Sequence, residues 1–159
     1  MKKKIISSSI TIILLVLVYL IIFAFSAEDA EQSSAISEWV TKLLYNIYYF
    51  FVGKPDSTGV IASEAISPVE GVVRKIAHFT EYGCVGLLSY NLIRMWEPQI
   101  WRGRFIILIQ LFISAAIDEL HQYFVPGRYA SVKDVFIDVA GGITGMLLLA
   151  LWMRVRKKK

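Results

Sequence analysis

The chain has 159 residues, is 56% hydrophobic and carries a formal net charge of +4, with a mean hydropathy of +0.56 and a pI near 9.2. Sustained apolar runs at this composition exclude an ordinary soluble domain, and their continuity, without strict alternation, excludes a transmembrane β-barrel. The basic residues are clustered at the ends of those runs, which points away from nucleic acid and toward an orientation signal in a membrane.

The first apolar block, about 5–25, follows "MKKK" and ends in "AFSA". A charged start and small residues also suit a signal peptide, but about 20 apolar residues exceed the roughly 7–15 of its hydrophobic region. The block is therefore expected to stay as a membrane helix. The outer segment, 26–75, contains "SSAISEWVTKLLYNIYYFFV". Its apolar residues Ile36, Trp39, Val40, Leu43, Leu44, Ile47, Phe50 and Phe51 recur at helical spacing. This predicts an amphipathic helix over about 34–52, capped by Ser33 or Ser34, with tryptophan and tyrosine suited to a headgroup layer. "GKPDSTG", 53–59, reads as a loop, and "SPVEGVVRK" as the start of a further helix.

The second span is placed at about 76–93, the third at 104–124 and the fourth at 134–153. Each approaches the roughly 20 residues that cross a hydrocarbon core. "RMWEPQIWRGR" joins spans two and three; Pro126 and Gly127 break the third. Ser131 stands ready to cap the fourth, where Gly141 and Gly145 form a GxxxG that admits a close neighbour. Cys84, the one cysteine, excludes an internal disulfide and reads as a packing residue. The expectation is an all-α polytopic membrane protein, residues 1–159 forming one domain: a four-helix transmembrane bundle with an extracytoplasmic amphipathic helix.

Eleven of the 17 basic residues lie in "MKKK", "IRMWEPQIWRGR" and "RVRKKK". The positive-inside rule puts those segments, and so both termini, in the cytoplasm. Residues 26–75, with seven acids against four bases, then face outward. On that topology the polar residues of three spans gather at one end: Lys75, His78 and Glu81 on the second; Asp118, Glu119, His121 and Gln122 on the third; Arg128 in the turn; Asp134 and Asp138 on the fourth. Ionisable groups in a membrane helix cost several kcal/mol unless paired or hydrated, so the gathering calls for a purpose. The i, i+3 and i, i+4 spacings of His78 with Glu81, Asp118 with Gln122, and Asp134 with Asp138 put each pair on one face.

"RKIAHFTEYGCVGLL" at 74–88, "DELHQYFVPGRYASVKD" at 118–134, "GGITG" at 141–145 and the serines of "FSAEDAEQSSAISEWV" resemble the VanZ family of membrane proteins. The resemblance covers most of the chain. It implies roles for Lys75, His78, Glu81, Tyr82, Asp118, Glu119, Gln122, Pro126, Gly127, Arg128 and Asp134. Asp138 departs from the asparagine expected at its position. The family resemblance also implies a multi-pass protein of the bacterial cytoplasmic membrane, linked to resistance against teicoplanin-type glycopeptides, and it brings no agreed reaction.

Three readings follow. The polar residues form a site at the outer membrane face, built of His78, Glu81, Asp118, Gln122, Arg128 and Asp134, catalytic or binding, with Lys75, Tyr82, Glu119, Arg128 and Asp138 contacting a lipid, a lipid-linked intermediate or a lipoglycopeptide. As an enzyme, His78 would act as general acid or base through an activated water, oriented by Glu81 or Asp118, with Arg128 on a phosphate or carboxylate. Alternatively, the network only sets helix register. A metal held by His78, Glu81, Asp118 and His121 is the weaker expectation, so neither a metal nor a cofactor is assigned, and homo-oligomerisation stays open.

Overall fold

The computed structural model describes residues 2–52 and 63–156. Five helices follow one another: α1 Lys2–Ser26, α2 Ala30–Val52, α3 Ser63–Trp96, α4 Ile100–Tyr123 and α5 Val132–Arg156. No strand occurs among the described residues. Of the five, α1, α4 and α5 are long and apolar enough to cross a membrane. The predicted loop "GKPDSTG" lies outside the described residues.

At about 1.5 Å per residue, the 34 residues of α3 extend roughly 51 Å. The expected span at 76–93 is thus the second half of one continuous helix, without a break at its N-terminal side. α3 is also the hub, in contact with each of the other four helices, and most extensively with α5. The α3–α5 seam is made of glycine. A methyl group added to Gly86 would overlap the Gly142 carbonyl, one on Gly141 the Phe79 carbonyl, and one on Gly145 the Gly83 carbonyl. The backbones meet directly there, which only glycine permits. The GxxxG of α5 therefore packs on Phe79 and Gly83 of α3, and Gly142 within it packs on Gly86.

Around this seam the core is small: Tyr82, Val85 and Tyr90 from α3, Ile107, Leu111 and Ala115 from α4, and Met146 and Ala150 from α5 are buried. Most large aliphatic side chains of α1, α4 and α5 point outward. That is a stable surface only in contact with lipid, since water would be met by apolar surface far larger than a soluble monomer exposes.

α2 turns the soluble-protein pattern inside out. Its small polar residues Ser33, Ser37 and Thr41, spaced i, i+4, i+8, are buried, and α2 packs on α3. Trp39, Leu44, Phe50 and Phe51 are exposed. The helix begins earlier than Ser33 or Ser34 would allow. Asp29 caps it, its Oδ1 accepting the Gln32 N–H at 2.8 Å, because a carboxylate just before Ala30 meets the free amides of the first turn. Ser33 is instead a packing residue. The expectation for Cys84 is corrected in the opposite sense: it is exposed, since the face of α3 turned to α5 is taken by Gly83 and Gly86.

Candidate functional site

α4 ends where Phe124 and Val125 donate to the carbonyls of His121 and Gln122, and Gly127 takes a positive φ of 73°. The turn then docks on the start of α2, with the Ala30 N–H donating to the Pro126 carbonyl at 3.3 Å. Glu119 holds the far side, accepting the Ser131 N–H at 2.6 Å. α5 starts just after Ser131, whose backbone carbonyl accepts from Asp134 and Val135. Sequence-local chemistry thus fixes where the PGR turn sits over the ends of α1, α4 and α5.

Beneath the turn lies a buried hydrogen-bond chain. The Ser26 hydroxyl donates to Asp118 Oδ1 at 2.5 Å. Gln122 Nε2 donates to Asp118 Oδ2 at 3.2 Å and to Ser26 Oγ at 3.1 Å. Arg128 closes the chain, Nη1 donating to Gln122 Oε1 at 3.3 Å and Nη2 to the Phe25 carbonyl at 3.0 Å. The last residues of α1, the end of α4 and the turn are joined in one network. Partial burial lowers the Arg128 pKa, and the nearby Arg74 guanidinium acts in the same direction, while Glu28, Asp118 and Glu119 oppose them. A guanidinium stays charged through such changes.

Above this network opens a cleft of about 300 Å³. Arg74, Lys75 and Arg128 line it with Glu119, Asp134 and Asp138, three cations facing three carboxylates, together with His78 and Gln122. Lys75 Nζ lies 3.7 Å from Asp134 Oδ1. A second, narrower groove of about 110 Å³ runs between α2 and α3, walled by Ile36, Val40 and Val73. Arg74, His78 and Arg128 line both. A charged compartment and an apolar one therefore share a wall.

The expected site residues divide between these places. Lys75, His78, Glu119, Gln122, Arg128, Asp134 and Asp138 meet at the cleft. Asp118 lies behind it, 3.9 Å from His78 Nδ1. Glu81 lines the apolar groove together with His78 and does not line the charged cleft. Tyr82 is 1% exposed and belongs to the core, one turn deeper along the helix from His78 on the same face as Val85. His121 stacks on Phe23, ring centroids 4.7 Å apart, which takes it away from His78.

One contributor was hidden from residue-by-residue reading, and a second was legible only as one charge of the polar group. Ser26 is completely buried and orients Asp118, yet a lone serine at a helix end carries no signal beyond its place in the resemblance. Arg74 reaches both cavities, although its position beside Lys75 marks it only as one more base.

The arrangement offers guanidinium and ammonium donors to an anion, an imidazole able to pass a proton, and an apolar slot alongside. No curated protein and no solved structure matches the chain. The VanZ/LLP1 family model matches residues 11–153, and the chain belongs to that family.

Proposed function

We propose that this is a single-domain protein of the bacterial cytoplasmic membrane that protects the envelope against teicoplanin-type glycopeptides through the charged cleft. In this reading α1, the second half of α3, α4 and α5 are four spans, both termini are cytoplasmic, and the cleft opens outward. The clustering of bases at the opposite ends of the helices supports that orientation. α2 lies in the outer leaflet with Trp39, Phe50 and Phe51 toward lipid.

One observation carries the proposal: the charged cleft and the apolar groove share Arg74, His78 and Arg128. A ligand with an anionic head and an acyl tail, such as a lipid-linked intermediate or a lipoglycopeptide, suits such a pair of compartments. Arg128 Nε, buried and without an acceptor among the described residues, offers such a head a further donor.

His78 at the shared wall favours a second reading, hydrolysis or transfer at a lipid-linked phosphate by an activated water. Arg128→Ala and Asp118→Asn test the site. Normal membrane abundance with lost protection supports it, whereas lost protein with lost protection reduces the network to a scaffold. Incubating the purified chain with lipid-linked precursors and weighing the products by mass spectrometry separates catalysis from binding.

A further inference from the structure

His78, Asp118 and Asp138 come from three different helices, and one ligating atom from each lies within 4.8 Å of the others. His78 Nδ1 is 3.8 Å from Asp138 Oδ1 and 3.9 Å from Asp118 Oδ2. Those separations are too long for hydrogen bonds, whose N···O distances lie near 2.7–3.2 Å. Had the imidazole N–H been bound to either carboxylate, the pair would have closed.

Asp138 supplies the independent observation. Its side chain is 0% exposed, and neither carboxylate oxygen has a hydrogen-bond partner among the described residues. His78 Nδ1 is likewise buried and without one. Buried carboxylates are paired, hydrogen-bonded or bound to a cation. Lys75 is turned to Asp134, and Arg128 is turned to Gln122 and Phe25. No lysine or arginine forms an ion pair with Asp138 among the described residues.

We propose that His78, Asp118 and Asp138 hold a divalent first-row metal ion, zinc or manganese. Metal–nitrogen and metal–oxygen bonds near 2.0–2.2 Å put neighbouring tetrahedral ligands about 3.4 Å apart. The two shorter spacings here are a few tenths of an ångström above that. One imidazole with two carboxylates suits these ions better than calcium, which prefers an all-oxygen shell. Two carboxylates also neutralise the ion's charge, which a membrane interior requires.

The surroundings fit a ligand set. Asp118 is aimed by Ser26 and Gln122, the kind of outer hydrogen bonding that orients metal ligands. Three protein ligands leave positions open. His78 and Asp138 line the cleft, so those positions face it, where a water or a phosphate oxygen can complete the shell beside Arg128. The site stands whether or not the cleft serves envelope protection, because it rests on ligand geometry alone.

The test uses the full chain, purified in detergent on a Strep tag, stripped with chelator and dialysed against zinc or manganese. Mass spectrometry of the metal content should read one equivalent in the wild type and in Glu97→Gln, at a residue just beyond the C-terminal end of α3. Asp138→Asn and His78→Gln should each weaken binding at least tenfold. Pulsed electron paramagnetic resonance of the manganese-loaded wild type should show coupling to one imidazole nitrogen. This arm needs no variant and decides the matter if the substituted chains do not fold. No bound metal in the stripped and reloaded wild type, no nitrogen coupling, or undiminished binding by a folded Asp138→Asn chain overturns the site and leaves a shared proton in its place.

Discussion

The two ends of the bundle use charged residues in opposite ways. At one end, bases lie at the surface beside aromatic rings: Lys4 over Trp96 at 4.2 Å, Arg104 over Trp101 at 5.3 Å and Arg156 over Trp152 at 4.1 Å. Each pair shares no residue with the next. At the other end, Ser26, Asp118, Gln122 and Arg128 form one connected chain across two helices and a turn, buried except at Arg128, and Asp138 is enclosed beside it. Exposed pairs of the first kind contribute about 0.5–1 kcal/mol apiece. A buried network of the second kind leaves each remaining member unsatisfied when one is removed, at about 1–3 kcal/mol. The same side-chain types therefore anchor at one end and build a site at the other, the difference lying in burial and connection.

That contrast can be broken in order of effect. Gly145→Leu drives a side chain into the Gly83 carbonyl and separates α3 from α5, on which both ends depend. Its cost should lie at or above the top of the roughly 1–3 kcal/mol typical of overpacking, and little folded protein should survive extraction in a fluorescence-detected gel filtration. Asp118→Ala should come next, losing about 1–3 kcal/mol as Ser26 and Gln122 lose their acceptor, read as a lower unfolding temperature in detergent. Gly127→Ala places a side chain at φ 73° and a methyl group 2.9 Å from the Ala30 Cβ. It should cost about 1–2 kcal/mol and loosen the turn from α2, seen as faster proteolysis after Arg128. Arg156→Ala at the opposite end should lower stability by about 0.5 kcal/mol or less. A larger loss there than at Asp118 would abolish the distinction between the ends.

Much of this architecture is legible in the order of residues. Apolar runs bounded by bases mark α1, α4 and α5, and the helical spacing at 34–52 marks α2, because hydrophobic length and periodicity are local properties. The polar end is legible too, since antiparallel helices must bring the His78, Asp118 and Asp138 ends together. Side-chain facing is less so. Glu81 and His78 share a helix face by spacing and both line the apolar groove beside α2, yet only His78 also reaches the charged cleft, which spacing does not tell. Tyr82 carries a polar tip, but its place in the core follows from how close α5 comes.

Composition and spacing alone determined an all-helical chain, the ends of its apolar helices and the collection of ionisable residues at one end. These depend on transfer free energies and backbone hydrogen bonding within single segments. Only the packed structure decided which residues meet: that glycines on both α3 and α5 allow backbone contact, that Ser26 reaches Asp118, and that Asp138 is buried without a donor among the described residues. Those outcomes depend on the rotation of each helix about its axis, which is set by its neighbours and is encoded in no segment taken singly.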